Sequence, residues 1–405
     1  MSLIKKRNTI QYDVRSCFKT LSATFAKNNY TAVANFKELG VHKHFIQGLD
    51  ELGIVTPTQI QTEVIPILLN SDTDLVGQAQ TGTGKTAAYG LPLLQRIDPS
   101  KKMIQGLILC PTRELGQQVA KQLFKFTKYS HKIFTEAVYG GEQIDKQINA
   151  LKRPTHIVVA TPGRLIDLVN RKAIDIRNVT TVVLDEADEM LSMGFKKELD
   201  EILNGLSTAK SKWLFSATMP HGIKQIVNEH LSLDAHRVET SGKNVVNKNI
   251  DHQYLICEEE DKLQILIQFL KSSQSERGLI FCKTKAATQK VALQLKAKNV
   301  AADAIHGDLK QKERDKVMRM FKNETLQVLI ATDLAARGID VEGLSYVVHY
   351  QLPDKEEYYT HRSGRTARAG KDGTSICLVN SREVKQIRYF EKALGISFSQ
   401  VRRVK

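Results

Sequence analysis

The sequence carries one pattern twice: short apolar segments alternate with longer amphipathic stretches, and a polar segment interrupts this alternation once. The first series begins at Phe36 and ends near residue 239, and the second begins near residue 250. Apolar runs separated by helix-length segments are typical of β-α-β units, which build parallel sheets with helices on both faces. The pattern therefore predicts an α/β protein with two domains, and 405 residues are enough for two cores.

The predicted strands are short and mostly β-branched or otherwise apolar. They are residues 75–76, 106–110, 133–138, 156–160, 181–184 and 213–215 in the first series, and 253–257, 278–281, 301–305, 327–331, 346–349 and 374–379 in the second. The amphipathic segments that predict helices include residues 115–126, 195–206, 263–270, 284–298 and 311–321.

Two segments fall outside the alternation. Residues 240–249 are polar and without period, which predicts a linker between domains at 36–239 and 250–405. Residues 1–35 contain six basic residues and only one acidic residue, Asp13. This composition predicts a partly disordered basic arm that adds to the attraction for anions, and an organellar transit peptide stays open as the alternative.

The formal net charge of +15 favours a polyanionic partner, nucleic acid first and an anionic membrane surface second. No apolar run approaches the roughly 20 residues of a membrane span, so a soluble, cytoplasmic monomer is expected. The five cysteines stand singly, which predicts neither a zinc site nor a redox pair.

A glycine-bearing loop lies between the first predicted strand and a helical segment, in the order that a phosphate-binding loop requires. Gly82 and Gly84 let the backbone aim N–H groups at phosphate oxygens, while Lys85 can reach the β- and γ-phosphates. The Thr86 hydroxyl can bind Mg²⁺. The predicted nucleotide-binding residues of this loop are Ala79, Gln80, Thr81, Gly82, Thr83, Gly84, Lys85 and Thr86.

Acidic residues directly follow the predicted strand at 181–184, at the strand end where open α/β sheets bind ligands. Hydrolysis of Mg-ATP needs one carboxylate that holds the metal, usually through water, and another that orients or deprotonates the attacking water. We assign Asp185 to the first task and Glu186 to the second. Ser216 and Thr218 end another predicted strand, and we expect their hydroxyls to bond the acidic residues, with Asp188 as the coupling residue, and to link the nucleotide state to a second surface.

Gln61 precedes the phosphate loop by about 20 residues. Its amide offers one donor and one acceptor, which match the exocyclic amine and N7 of adenine and mismatch guanine. The predicted nucleotide is therefore ATP.

These motifs, in this order, resemble those of the DEAD-box RNA helicases, a family named for the four residues 185–188. The resemblance runs from Phe36 to the C-terminal region and implies two tandem RecA-like domains. It implies that Gln61 reads adenine and that Phe36 is the upstream aromatic of the nucleotide site. It also implies that three loops contact the RNA backbone, through Arg113, Gly141, Thr161, Gly163 and Arg164.

In the second series, three arginines recur at spacings of three residues: Arg362, Arg365 and Arg368. Three cations without acidic partners favour a role in binding an anion from outside the protein. The γ-phosphate of ATP, in the transition state of hydrolysis, is such an anion. We assign Arg365 and Arg368 as arginine fingers, whereas Arg362 could form a structural ion pair. His361 is interpreted as a coupling or γ-phosphate-sensing residue.

The resemblance extends to further residues of the second domain. It implies that Arg314 and Thr332 contact RNA phosphate and that Asp340 contacts the ATP ribose. Two positions depart from the family pattern: Ala367 stands where glycine is usual, and Ile54 where an aromatic is common. We expect Ala367 to be tolerated on a helix and Ile54 to reduce adenine stacking.

The resemblance implies that ATP and RNA close the two domains, and that hydrolysis opens them again after local strand separation. Two alternatives stay open: an ATP-dependent RNA clamp whose unwinding is incidental, and a DNA helicase. The chain ends soon after the second series. RNA specificity is therefore expected from protein partners or from a segment beyond this sequence.

Overall fold

The computed structural model describes residues 35–80, 82–206, 209–240, 247–273, 276–336, 344–367 and 371–401. It contains two sheets of seven strands each, and every pairing between their strands is parallel. Helices connect the strands and cover both faces of each sheet. The predicted α/β class with two tandem RecA-like domains is therefore confirmed.

The first sheet has the strand order β3-β4-β2-β5-β6-β1-β7. Its strands are β1 Leu75–Gln78, β2 Gly106–Leu109, β3 Thr135–Val138, β4 Ile157–Ala160, β5 Thr181–Leu184, β6 Ser211–Ser216 and β7 His236–Glu239. The helices of this half are α1 Lys43–Glu51, α2 Gln59–Asn70, α3 Lys85–Arg96, α4 Arg113–Phe126, α5 Ile144–Leu151, α6 Pro162–Asn170, α7 Ala187–Ser192, α8 Lys196–Gly205 and α9 His221–His230.

The second sheet has the order β10-β11-β9-β12-β13-β8-β14. Its strands are β8 Ile250–Ile256, β9 Gly278–Phe281, β10 Ala302–Ile305, β11 Val328–Ala331, β12 Tyr346–His349, β13 Gly373–Val379 and β14 Ser399–Gln400. The helices are α10 Lys262–Ser272, α11 Lys285–Lys296, α12 Gln311–Lys322, α13 Asp333–Ala336, α14 Glu356–Ser363 and α15 Val384–Leu394.

The strands form because they are buried on both faces, which suits continuous runs of Val, Ile and Leu. Strands β2, β4 and β5 are buried along their whole length, and so are β9, β11 and β12 in the second sheet. Each sheet is flanked by separate apolar clusters on its two faces, which the inward faces of the helices complete. The core therefore holds the carboxyl ends of the central strands in fixed positions.

Two edge strands, β7 and β14, were not predicted. Only Val238 is buried in β7, and neither residue of β14 is buried. An edge strand with little buried surface carries no apolar run, so the pattern that identifies central strands is absent from it.

Some predicted segments lie wholly or mostly outside the described residues. Residues 1–34 of the predicted arm and residues 241–246 of the predicted linker are among them. Among the helices that the structure describes, none is long and apolar enough to cross a membrane.

The expectation that Ala367 lies on a helix is wrong. Helix α14 ends at Ser363, and Ala367 follows it with a φ of +55°, in the left-handed region that favours glycine. The residue is buried, and its carbonyl oxygen accepts a hydrogen bond from Asn247 Nδ2 at 2.6 Å. The surrounding contacts therefore hold an alanine in a conformation that costs an L-residue about 1–2 kcal/mol.

Candidate active site

The phosphate loop joins β1 to α3 and has the backbone geometry that its glycines predict. Gly82 and Gly84 have φ values of +82° and +91°, which residues with a Cβ atom rarely adopt. Lys85 is buried and donates from Nζ to the carbonyl oxygen of Ala79 at 2.8 Å, and Thr83 Oγ1 donates to the carbonyl oxygen of Gln80 at the same distance. Thr81 lies outside the described residues.

Asp185 follows β5 and is buried beside the phosphate loop. Its Oδ2 accepts a hydrogen bond from the Tyr89 hydroxyl at 2.7 Å, whereas its Oδ1 is buried with no hydrogen-bond partner among the described residues. Burial raises the pKa of the Asp185 carboxyl, and the Lys85 ammonium and the Tyr89 hydroxyl oppose the rise. A buried carboxylate oxygen without a donor is suited to a cation.

Glu186 is the next residue and adopts a left-handed conformation with a φ of +51° at the start of α7. Non-glycine residues in this region are uncommon and gather at functional sites. Burial raises the pKa of Glu186, the Arg365 guanidinium from the second domain opposes the rise, and the neighbouring Asp185 carboxylate supports it. A raised pKa suits a carboxylate that must accept a proton.

Asp188 is bound to the loop after β6. Its Oδ2 accepts hydrogen bonds from the backbone N–H and the hydroxyl of Thr218, both at 2.8 Å. Ser216 Oγ accepts from the backbone N–H of Asp188 at 3.3 Å and donates to the carbonyl oxygen of Thr218 at 2.7 Å. The hydroxyls of Ser216 and Thr218 therefore hold the acidic segment against the adjacent strand.

His361 on α14 reaches across from the second domain to the same acidic segment. Its Nδ1 lies against the Glu189 carboxylate, and its Nε2 lies 3.8 Å from Asp188 Oδ2. Burial disfavours the charged imidazole, but the carboxylates of Glu189, Asp188 and Glu186 outweigh burial, so the pKa of His361 is raised above its ordinary 6.5. The motif with the arginines thus meets the acids directly.

Two residues predicted to bind adenine are engaged inside the protein. Gln61 is buried, its amide nitrogen donates to the Gly84 carbonyl oxygen at 3.0 Å, and its amide oxygen accepts from the Thr58 backbone N–H at 2.9 Å. Phe36 is buried in the core of the first domain. Phe36 has almost no exposed surface, whereas the Gln61 amide keeps one N–H and one oxygen lone pair beyond these two contacts.

In the loops predicted to contact RNA, Gly140 and Gly163 have open space around them, whereas Gly141 faces Gln311. A Cβ added at Gly140 or Gly163 would meet no atom within 4 Å, so packing inside the protein does not require glycine there. Arg164 donates to Gln147 Oε1 at 2.8 Å and to the Glu142 carbonyl oxygen at 3.1 Å. Thr161 directly precedes α6 and is partly exposed. Open space above glycines suits the close approach of an external backbone.

Contacts between α4 and α12 join the two domains beside these loops. Arg314 donates to Glu114 Oε1 at 3.1 Å, and Arg113 lies 3.5 Å from Asp315 Oδ2 and over the ring of Tyr139. Arg314, predicted to contact RNA phosphate, therefore makes an interdomain ion pair in this structure.

The remaining predicted residues of the second domain lie near α13 and α14. Thr332 lies directly before α13 and is buried. Arg365 donates from Nε to the His361 carbonyl oxygen at 3.2 Å and is buried beside the acids. Asp340 and Arg368 lie outside the described residues.

Arg362 forms the structural ion pair that the sequence left as an alternative. Its guanidinium makes two hydrogen bonds to the Asp333 carboxylate, one of them at 2.7 Å, and donates to the Gln351 carbonyl oxygen at 2.8 Å. It also stacks on the ring of Phe281, 5.0 Å from its centroid. Arg362 therefore fixes α14 on its domain and leaves Arg365 and His361 to face the acids.

Sequence reasoning missed Tyr89, Glu189 and Glu114. Each of the three lies close in sequence to a recognised motif. Its functional contact, however, is with a residue far away in the sequence. Tyr89 and Asp185 are separated by 96 positions and Glu114 and Arg314 by 200. Helical spacing offers one signal, because Tyr89 lies one turn after Lys85 on the helix that begins at the phosphate loop.

Comparison with known proteins agrees with this geometry. Residues 58–226 match the DEAD/DEAH box helicase family model, and residues 261–370 match the helicase conserved C-terminal domain. The chain is 42% identical over 360 residues to the DEAD-box ATP-dependent RNA helicase CshA of Bacillus cereus, covering 89% of this chain and 68% of that protein. The chain belongs to the DEAD-box ATP-dependent RNA helicases.

The arrangement of the two domains resembles that of a DEAD-box protein bound to RNA and nucleotide. The structure of Saccharomyces cerevisiae Dbp5 bound to RNA and ADP BeF3 aligns with a TM-score of 0.82, at 30% identity, over 90% of this chain and 95% of that one. A DEAD box protein from Methanococcus jannaschii is 41% identical but aligns with a TM-score of only 0.54, over 91% of this chain and 99% of that one. The more similar sequence thus has the less similar domain arrangement. Sequence similarity alone therefore does not explain why this structure agrees with RNA-bound Dbp5.

Proposed function

We propose that this helicase hydrolyses ATP at a site shared by its two domains, and that RNA stimulates hydrolysis by closing residues 36–239 and 250–405 on each other. The contact of His361 with Glu189 and Asp188 supports this most directly, because it brings the end of α14, and with it Arg365 just beyond the helix, to the acids of the other domain. Neither domain alone contains both the acids and the arginines.

The first domain holds the phosphates and activates water. Lys85 binds the β- and γ-phosphates, assisted by the N–H groups of residues 79–84, and Glu186 accepts the proton of the attacking water. Thr86 and Asp185 hold Mg²⁺, Asp185 partly through water, and the unpartnered Oδ1 of Asp185 is suited to that task. Bound Mg²⁺ neutralises charge on the phosphate oxygens.

The second domain completes the site. Arg365 stabilises the charge of the transferred γ-phosphoryl group in its transition state, together with Arg368. His361 senses the state of the nucleotide through the acidic segment, and Asp188, Ser216 and Thr218 carry that state into the first domain. Asp340 holds the ribose, and Gln61 and Phe36 recognise adenine, Gln61 through the N–H and lone pair that its present contacts leave available.

Closure also forms the RNA site. Arg113, Gly141, Thr161, Gly163 and Arg164 grip one strand through its phosphates and 2′-OH groups, with little reading of the bases. Thr332 and Arg314 complete the grip from the second domain. A strand bent to fit this surface leaves duplex geometry, so its partner is displaced locally and without processive movement.

Strand displacement tests the proposed function against its alternatives. With protein well below duplex concentration, we expect ATP-dependent separation of a short RNA duplex and weak ATPase stimulation by DNA of matched sequence. A chain that binds RNA with an ATP analogue but separates no duplex under these conditions is an RNA clamp. Equal stimulation by RNA and DNA contradicts the proposed substrate.

The hydroxyl of Tyr89 is expected to position Asp185. Burial and the nearby carboxylate raise the pKa of Tyr89, so the phenol stays protonated. Its hydroxyl therefore donates a hydrogen bond to Asp185 Oδ2. Tyr89→Phe leaves a buried carboxylate with one donor fewer, which should lower the free energy of unfolding by about 1–3 kcal/mol.

Denaturant unfolding of the Tyr89 variant measures this loss. Tyr389→Phe is a matched control, because Tyr389 donates to the Glu356 carboxylate at 3.1 Å from an exposed position. We expect the control to change stability by less than about 0.5 kcal/mol. Equal losses in the two variants would show that Tyr89 makes no special contact.

The pairing of His361 predicts a pH dependence of RNA binding. The pKa of His361 is raised in the closed form, so its contribution is fully present below about pH 6.5 and is lost as pH rises through the closed-form pKa. One charge-assisted hydrogen bond lost corresponds to about tenfold weaker RNA binding in the presence of an ATP analogue. Anisotropy titrations with labelled RNA at several pH values measure this change, and His361→Gln should lack it. An equal slope in both proteins rules out His361 as its origin.

A further inference from the structure

A groove of about 700 Å³ opens between the two domains on the surface formed by α4 and α12. One wall carries Lys121 and Lys125 from the first domain, and the other carries Arg319 and Lys322 from the second. Because the walls belong to different domains, the groove has this shape only while the domains hold their present arrangement.

The groove is strongly basic. Lys121, Lys125, Arg319 and Lys322 are all exposed, and none of the four makes an ion pair with any residue that the structure describes. The two carboxylates of the lining, Glu114 and Asp315, are already paired with arginines. The net field of the groove is therefore set by these four cations.

The groove begins beside the predicted RNA path. Arg113 and Asp315 line it from opposite domains and lie 3.5 Å apart. Next to this pair, the amide oxygen of Gln311 on α12 lies 3.3 Å from the position that a Cβ on Gly141 would take. Arg113 and Gly141 both belong to the loops assigned to the RNA backbone, so a strand leaving those loops meets the groove directly.

The composition of the walls favours nucleic acid over protein. Among the described residues that line the groove, Met318 is the single apolar side chain, and the rest are charged or carry amides. Protein interfaces have an apolar, aromatic-rich centre, whereas nucleic-acid interfaces are polar and positively charged. Two opposed pairs of cations suit a phosphodiester backbone lying between them.

We propose that this groove binds the backbone of an RNA segment that continues beyond the part gripped by the RNA loops, which rests on the proposed function. The bound segment bridges α4 and α12 and so stabilises the closed arrangement. RNA long enough to fill both sites should therefore bind more tightly than short RNA, and only when an ATP analogue holds the domains together.

Equilibrium binding of fluorescent single-stranded RNAs of about 8 and about 20 nucleotides tests this inference. Each RNA is titrated with the full chain in the presence of a non-hydrolysable ATP analogue and, separately, of ADP. The variants are Lys121→Glu with Lys125→Glu, and Arg319→Glu with Lys322→Glu. The control is Lys290→Glu with Lys298→Glu, which makes the same change in net charge at exposed positions in and just after α11, outside the groove.

Each groove variant should bind the longer RNA about tenfold more weakly at about 0.1 M salt, with the salt slope reduced by about 1.4. Binding of the shorter RNA should change less than about twofold, and the α11 control should match the wild type for both. With ADP, the advantage of the longer RNA should disappear.

Three results would overturn the inference: equal losses for both RNA lengths, equal losses in the control, or no loss for either length. The last is also the result expected if the groove takes an acidic protein segment. Failure of the wild-type chain to bind the short RNA with the ATP analogue would instead contradict the proposed function, so the two failures are distinguishable. Thermal unfolding of each variant confirms that the fold is retained.

Discussion

Glutamine in place of Glu186 is expected to lower the RNA-stimulated rate of ATP hydrolysis by about 10²–10⁴-fold, the usual contribution of a general base. Glutamine keeps the size and the hydrogen-bonding reach of the side chain but does not accept a proton from water. Binding of ATP and of RNA should therefore persist. Steady-state phosphate release, measured with saturating RNA, gives the rate, and nucleotide and RNA titrations give the two affinities.

Two further variants sharpen this result. Lys85→Ala should also abolish turnover, but through loss of phosphate binding, so its nucleotide affinity should fall together with its rate. Glu201→Gln makes the same chemical change at an exposed position of α8 and should leave the rate unaltered. Near-normal turnover in both Glu186→Gln and Lys85→Ala would refute the assigned site.

Alanine in place of Arg365 is expected to lower the same rate by about 10³–10⁵-fold, as removal of an arginine finger does elsewhere. The Arg365 side chain is buried on the second domain, near the acids of the first. Its positive charge lowers the pKa of the Glu186 carboxyl across the interface. Because a finger acts on the transition state, the loss should lie in kcat, with little change in nucleotide affinity.

The control for this variant is Arg382→Ala, at an exposed position before α15. It should retain the wild-type rate. A loss in Arg365→Ala confined to KM would indicate that Arg365 only binds nucleotide. A large loss of thermal stability in Arg365→Ala would indicate a structural role instead, so melting curves are recorded in parallel.

The sequence predicts the central part of the fold well because local pattern and burial agree there. Strands β5, β9 and β12 have the same bounds as their predicted segments, since each is a run of mainly apolar or β-branched residues buried along its length. Ala367 shows the limit of such reasoning, because nothing local to it announces a left-handed backbone.

The sequence predicts which residues form the site but not which residues they contact. Strand-end motifs identify Asp185 and Glu186, yet the donor to Asp185 comes from α3, and the partner of His361 comes from the other domain. Such pairs depend on how elements far apart in sequence are packed. The same reason explains why Gln61 and Arg314, both recognised as polar residues near the site, have protein partners that no local pattern indicates.

We expect ATP and RNA together to close the two domains into one site. Energy transfer between dyes attached at exposed positions 224 on α9 and 290 on α11 measures this closure directly. With a non-hydrolysable ATP analogue and RNA together, the transfer efficiency should change to a single new value, and either molecule alone should leave it near that of the free protein. The same change with nucleotide alone, or no change with both, would contradict a site that RNA helps to complete.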